Sequence, residues 1–291
     1  MHSATWDHAV DFSGRRVAVI GSAASAIQLI PELAKVAARV DVYQRTPNYI
    51  APRNDRAFSD KEKARFARWP LWHRFYRWLI FARGQVLQFS IIRHSGRSRL
   101  RDLLQRHIIA HIRSSVEDPE TREKMVPDYP MGCKRMLIAD NYYDAINRDN
   151  VNVVTDAIEA INASSVQTVD GTSHPADILV YATGFDLENY LYATEITGRD
   201  GVTLGALWSD RPSAYKGAYI PGFPNLHLMS GPNTGVGTSS VVYMIEAQLL
   251  LIMQAIEAAG DDKLIEVSEA ANQAYNDMIR EALKHTVWAG D

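Results

Sequence analysis

The sequence predicts an α/β fold, and three features carry that expectation. An apolar run, Val17 to Ile20, closes in Gly21 and leads through small residues to apolar positions at helical spacing: Ile27, Ile30, Leu33 and Ala34. A second short run, Val40-Asp41-Val42-Tyr43, completes a strand, turn, helix and strand, the opening of a dinucleotide-binding βαβ unit. Further along, Val151–Thr155, Val166–Val169 and Ile178–Ala182 have the composition of β-strands.

The turn after the first strand, Gly21-Ser22-Ala23-Ala24-Ser25-Ala26, is where the chemistry is expected. A tight turn there aims backbone N–H groups and the positive end of the helix at a pyrophosphate. Three glycines are usual in this turn, whereas here the places read Gly21, Ala23 and Ala26, and alanine at the second leaves less room for a phosphate. The helix carries Pro31, which is expected to kink it. Arg45, followed by Thr46, stands 24 positions after Gly21, where a carboxylate would accept the adenosine ribose hydroxyls. A guanidinium and a hydroxyl instead suit a 2′-phosphate. The expectation is an NADP(H) site, the alternative an ordinary surface arginine.

Composition narrows the remainder. A chain of 291 residues is enough for one large or two ordinary domains. Its 46% hydrophobic and 22% charged content is that of a globular protein, and a net charge of −3 speaks against a dedicated nucleic-acid binder. A lone cysteine, Cys133, excludes an internal disulfide framework and fits a reducing cytosol. The polar opening His2-Ser-Ala-Thr-Trp6-Asp7-His8 lacks the apolar core of a secretory leader. No unbroken apolar run is long enough to span a membrane, and the nearest, Trp78 to Ile92, is interrupted by Arg83. A cytoplasmic location without an integral membrane segment is expected.

From Pro52 to about Pro130 the patterns turn helical, with loops marked by Pro70, Gly84, Gly96 and Pro119. Positions 53–113 carry 15 of the 31 Lys and Arg against four acids, interleaved with Phe66, Trp69, Trp72, Phe75, Tyr76, Trp78 and Phe81. Three readings compete: a membrane-surface or partner-binding helix, a nucleic-acid face, and a helical insertion. The last is favoured, its aromatics packing inward while its arginines stay solvated or meet an anionic cofactor. His107 and His111 lie one helical turn apart without the glutamate or third ligand of a zinc site, so no metal is expected. Beyond this stretch, Asp170-Gly171 reads as a turn, Asp177 to Phe185 as a buried parallel strand ending in a glycine turn, and Phe223 to Met229 as a short strand. The Gly-rich loop Gly231 to Thr238 feeds a long helix, about Ser239 to Ala258, and another helix covers Val267–Lys284.

Hydrolytic chemistry has little support. There is no G-x-S-x-G elbow, and Cys133 lacks an identifiable base and reads as a small buried residue. Redox chemistry or dinucleotide binding remains.

At this point a set of motifs, in order, resembles a known family. Arg15–Pro47 with its G-S-A-A-S-A turn and Gln44-Arg45-Thr46-Pro47 is similar to the second dinucleotide motif of Baeyer–Villiger monooxygenases, flavoproteins related to flavin-containing monooxygenases. So are Tyr129-Pro-Met-Gly-Cys-Lys134-Arg135-Met, Asn141-Tyr-Tyr-Asp, Asn147-Arg-Asp-Asn150, Tyr181-Ala-Thr-Gly184-Phe185 and Phe223-Pro-Asn-Leu226. His2-Ser-Ala-Thr-Trp6-Asp7 matches the second half of the family fingerprint F-x-G-x-x-x-H-x-x-x-W-(P/D), whose first half would precede Met1.

The resemblance implies NADPH and FAD as cofactors, with O2 and a small ketone or heteroatom substrate as partners. It implies that Arg135 is the active-site arginine, steadying an anionic oxygen adduct of the flavin and helping to place the nicotinamide. A guanidinium suits that role because it keeps its proton at neutral pH. Lys134, Arg45 and Thr46 would grip the 2′-phosphate, and the turn Gly21, Ser22, Ala23, Ala24 and Ser25 would face the pyrophosphate. His2, Trp6 and Asp7 would serve domain movement. Thr183 and Gly184, in a linker-like turn, and Gly231 and Asn233 would approach cofactor.

The fold implied is a Rossmann-like NAD(P)-binding domain (12–50 and 131–178) with a helical insertion (51–130), flanked by parts of an FAD-binding domain (1–11 and 179–291). The family's earlier G-x-G-x-x-G for FAD and its active-site aspartate do not occur in these residues, and the family continues past a segment like Val287-Trp288-Ala-Gly290. An internal portion or truncated product is therefore expected, for which tight FAD binding is not. N- or S-oxygenation, or NADP(H) binding without activity, are the alternatives to ketone oxidation.

Overall fold

The computed structural model describes residues 1–92, 99–185, 194–235, 240–260 and 263–288, apart from the side chains of Phe89 and Ser90. Gly96, the loop end Val236 to Thr238, Ser239 at the expected helix start, and Gly290 lie outside the described residues. The chain divides into two compact units, one of Met1–Ser59 with Arg99–Phe185, the other of Asp60–Ser98 with Asp186–Asp291.

The first unit is built on a parallel sheet. Its strands are β1 (Arg16–Ile20), β2 (Arg39–Tyr43), β5 (Val151–Val154) and β9 (Ile178–Tyr181), in the order β5-β2-β1-β9. All three pairings are parallel, with Val19 opposite Val42 on one side and Val180 on the other. Val17, Ala18 and Val19 are buried on both faces of the sheet, as a central parallel strand requires. Each such valine contributes about 1.5–3 kcal/mol relative to an exposed one. Helix α1 (Ala26–Val36) lays Ile27, Ile30, Leu33 and Ala34 on the core and continues as one element through Pro31.

A short parallel pair, β3 (Ile50–Ala51) with β4 (Leu137–Ile138), ties the chain after β2 to the segment carrying Lys134 and Arg135. An antiparallel meander, β6 (Ile158–Ile161), β7 (Ser165–Thr168) and β8 (Ser173–Pro175), precedes β9. Helices α4 (Arg99–Ser115), α5 (Pro119–Lys124) and α6 (Tyr142–Ile146) complete this unit.

The helical stretch 51–130 contributes to both units, because α2 (Asp60–Arg68) and α3 (Pro70–Ile92) fall in the second. There they accompany α7 (Leu204–Leu207), α8 (Val241–Ala259) and α9 (Glu269–Leu283). Two small clusters hold this unit, Leu204, Trp208, Ala214, Ile220 and Phe223 in one, Ala218, Tyr219 and Ile252 in the other. Ser240 and Ser268 cap α8 and α9 by accepting from the N–H groups of Tyr243 and Ala271, both at 3.3 Å.

Four expectations are corrected. Phe223 to Met229 is not a strand: Gly222 and Asn225 take positive φ (80° and 60°), and the chain is held by separate bonds, Asn225 to Ile265 and Leu228 to Ala218, each 2.9 Å. Cys133 is exposed, not buried, because its loop bulges through a turn from Pro130. The aromatics of this stretch do not all pack inward: Trp72, Phe75 and Trp78 of α3, and Trp69 just before it, are exposed, whereas Tyr76 and Phe81 are half-buried, Phe81 stacked on Tyr243 of α8 at 4.3 Å. Finally, α8, with 19 residues and mean hydropathy 1.5, is long and apolar enough by length and composition to cross a membrane. Glu246 and Gln248 interrupt its apolar pattern, so it is not an unbroken apolar run.

The turn at Asp170 gives a pH-dependent test. Its carboxylate accepts from the Thr168 hydroxyl at 2.6 Å and from the Thr172 hydroxyl and N–H at 2.7 and 3.1 Å. These bonds, that to Thr168 first, lower its pKa to about 2, below the unfolded value of about 3.9. A depressed folded-state pKa contributes stability that is present above the unfolded pKa and lost as the pH falls through the folded one. Asp170→Asn is expected to lower the melting temperature at neutral pH. The gap should close between about pH 4 and pH 2 in a calorimetric series, whereas a gap constant with pH would count against this account.

Candidate functional site

The carboxyl ends of β1, β2 and β9 bring most of the sequence-identified residues of the first unit to one rim. Strand order reverses beside β1, with β2 and β5 on one side and β9 on the other, and such a switch point leaves a crevice where nucleotides bind in open parallel sheets. Gly21 opens the turn with φ +113° and donates its N–H to Tyr43 at 3.0 Å. A Cβ at this position would run into the carbonyl of Ala182, with the carbonyl carbon at 2.9 Å. Glycine is needed here because β9 approaches the turn so closely. After it, Ser22, Ala23, Ala24 and Ser25 lead into α1, and among the described residues no acceptor meets the backbone N–H groups of 22–26. These are the donors an anion would take.

Arg45 and Thr46 follow β2, and the loop they start is tied to this turn. The buried Ser22 hydroxyl donates to the Thr46 carbonyl at 3.5 Å, and the Asn48 amide donates to the Ser22 carbonyl at 3.1 Å. Arg45 is exposed, with no carboxylate partner among the described residues. Lys134 sits over the ring of Tyr129 at 4.8 Å. The Tyr129 hydroxyl donates to the carbonyl of Pro47 at 3.1 Å, and its own carbonyl accepts from Tyr49 at 2.6 Å. Tyr129 thus carries Lys134 toward the loop that begins at Arg45. Burial raises the Tyr129 hydroxyl to about 12, so it remains a neutral donor. Arg135 is exposed two residues before β4, likewise without an acid partner among the described residues.

The first residues lie beside β9. Ser3 donates to the Tyr181 carbonyl, and Tyr181 to that of Met1, both at 2.9 Å. His2 places its ring edge-on to Phe185 at 5.9 Å, and its Nδ1 accepts from the Ala4 N–H. Trp6 stacks on Phe12 at 5.3 Å, while Asp7 closes a turn by accepting from Ala9. Thr183 and the positive-φ Gly184 leave β9 exposed on the same rim. In this unit the structure therefore gathers the Gly21–Ser25 turn, Arg45, Thr46, Lys134, Thr183, Gly184 and His2.

Gly231 and Asn233 belong to the second unit, where their contacts are internal. The space a Cβ on Gly231 would need is taken by the backbone of Gly217. The Asn233 amide donates to Asn276 at 3.3 Å, and Asn276 in turn donates to Asn272. Two residues escaped the sequence reading, Asn48, which positions the first loop, and the buried Gln248, which accepts from Ser230 N–H at 2.8 Å and donates to Lys216 carbonyl at 3.0 Å; Tyr129 stood in a motif without a role assigned to it. Polar residues with tertiary partners this distant carry no local signal.

No family model matches the chain. It is similar to a Baeyer–Villiger monooxygenase of Pseudomonas aeruginosa, 40% identical over 292 residues that take in 99% of this chain and 54% of that protein. Among solved structures it superposes on cyclohexanone-bound cyclohexanone monooxygenase with a TM-score of 0.85 at 27% identity, covering 99% of this chain and 63% of that one. OTEMO in complex with FAD and NADP gives a TM-score of 0.82 at 26% identity, covering 99% and 61%. The resemblance read from the motifs is borne out along the chain, which spans about half the length of the curated relatives it matches.

Two glycines with nearly the same φ provide a test of the rim. Gly184 (φ +107°) has open space where a Cβ would go, whereas Gly21 (φ +113°) has the backbone of Ala182. Both alanine variants bear the strain of positive φ, about 1–3 kcal/mol. In urea titrations Gly21→Ala is expected to lose clearly more stability than Gly184→Ala, and equal losses would mean that β9 does not constrain the turn.

Proposed function

We propose that this chain is the NADP(H)-binding portion, with part of the flavin-binding portion, of a Baeyer–Villiger-type monooxygenase that uses NADPH, FAD and O2 to convert ketones to esters or lactones. The observation that carries the reading is a glycine turn rich in unengaged N–H groups, tied by Asn48 to the loop that Arg45 begins and by Tyr129 to Lys134, two cations without acid partners among the described residues. A pyrophosphate at the turn and a 2′-phosphate beside Arg45 fit this donor set by charge and by hydrogen-bonding geometry.

The chain's own residues then bind and orient. The N–H groups after Gly21 hold the pyrophosphate, and Arg45, Thr46 and Lys134 select the extra phosphate of NADPH over NADH. Arg135 keeps a permanent positive charge for an anion formed near the nicotinamide. His2, Thr183 and Gly184 border the same rim, while Trp6 and Asp7 make local contacts with Phe12 and Ala9. When bound, FAD supplies the redox chemistry, accepting hydride and activating oxygen. Gly231 and Asn233 make their contacts within the protein and form no flavin cradle by themselves. The cofactors and ketone of the solved neighbours support the reading by similarity.

Calorimetric titration of the chain with NADPH and NADH tests the grip. NADPH is expected to bind more tightly. Arg45→Ala should weaken NADPH roughly 10- to 100-fold, as loss of a charge-assisted contact does, and leave NADH within about twofold. An unchanged NADPH to NADH ratio would refute the assignment. Oxygenation is checked after fusing the chain to the flanking residues of the Pseudomonas aeruginosa relative and supplying FAD, NADPH and either a cyclic ketone or a sulfide. Lactone that disappears with Arg135→Ala is the expected product, and sulfoxide without lactone would assign heteroatom oxygenation instead.

A further inference from the structure

Helix α3 presents an exposed apolar face that holds none of the residues proposed above to bind cofactor. With about 100° of rotation per residue, Leu71, Trp72, Phe75, Trp78 and Leu79 fall in one arc of about 120° on the side opposite Phe81 and Arg77, the two residues engaged by α8. All five are exposed, Leu71 at 77% and Trp78 at 59%. Trp72, Phe75 and Trp78 form a run of neighbouring rings with centroids 5.6 and 6.0 Å apart. Arg74 and Arg83 border the arc on its two sides, and neither has an ion-pair partner among the described residues. The charge around them has one sign: positions 63–101 hold ten Lys and Arg and no Asp or Glu.

We infer that this face of α3 docks on an anionic lipid surface, lying in the interface plane with its tryptophans at headgroup depth. Exposed apolar area of this kind needs a cover, and the chemistry of the surroundings selects which. Tryptophan favours the membrane interface because its ring is apolar and its N–H needs a polar partner. Arginines at the margin of an apolar arc can extend to lipid phosphates while their stems stay on the apolar side. A stretch of 39 residues without an acid meets no repulsion from anionic headgroups, and each cation near the surface adds attraction. Helix α8 differs: its exposed Val242, Leu250 and Met253 share their side with Glu257 and with Glu246, the partner of Arg77, a poor match for such a surface.

Co-sedimentation with vesicles of phosphatidylcholine alone, or with about a quarter phosphatidylglycerol, tests this directly, using the whole chain at low and high salt. Binding to the anionic vesicles should exceed that to the neutral ones about tenfold or more and fall at high salt. Arg74→Glu with Arg83→Glu should remove about tenfold of it. Trp72→Ser with Trp78→Ser should abolish binding while the far-ultraviolet circular dichroism stays unchanged, because both side chains are exposed. Absence of binding to anionic vesicles would overturn the inference, as would binding indifferent to lipid charge and to the arginine reversals. So would a concentration-dependent dimer in sedimentation velocity that the tryptophan variant dissolves, since the face would then be a contact between copies.

Discussion

The close approach of β9 to the turn after β1 is the constraint on which the first unit depends. β1 pairs in parallel with β2 on one side and β9 on the other, so its end is fixed from both directions. The chain must turn there in a space where even a methyl group would meet the Ala182 carbonyl. Gly21 meets that demand, and its N–H to the Tyr43 carbonyl adds the β2 side to the same junction. Three strand ends are thereby locked together, which sets where α1 begins and where Arg45 leaves the sheet. The bidentate pairing of Arg16 with Asp177, at 3.1 and 2.5 Å, does the same at the opposite end of β1 and holds the Asp177 carboxyl well below the usual carboxylate range. Because both groups are substantially exposed, its contribution is one of register more than of energy.

How much of this was legible in the sequence follows from how local the cause is. β1, α1, β2 and the Asp170-Gly171 turn were readable because apolar spacing and turn chemistry act within a few residues. The strand expected at Phe223 to Met229 failed for a comparable reason: an apolar run looks like a strand, yet the positive φ of Asn225 and the lack of a partner strand decide otherwise. Cys133 and the α3 aromatics were misread because residue type predicts burial only when a neighbour exists to bury against. At the site, Gly21, Arg45 and Lys134 could be named from motifs. Asn48, and the part Tyr129 plays in tying the Lys134 segment to the loop at Pro47, could not, since their bonds span 26 and 82 residues.

The two units position their loops by different means. In the first, loops leave a sheet whose register fixes where they start, and side chains such as Asn48 tie them to one another. In the second, the described residues include isolated bridges such as Thr197 with Thr203 but no extended ladder, so the Gly231 loop is held by buried amides instead. Gln248 holds Ser230 and Lys216 at once, the Thr234 hydroxyl donates to the Gly231 carbonyl at 2.6 Å, and Asn276 holds Asn233. Each such bond is worth about 0.5–1.5 kcal/mol net, and a buried partner left unsatisfied costs about 1–3 kcal/mol. Losing Gln248 therefore leaves two backbone groups, the Ser230 N–H and the Lys216 carbonyl, without their partner at once, whereas the Asn48 amide in the first unit meets a turn that the sheet already fixes at Gly21.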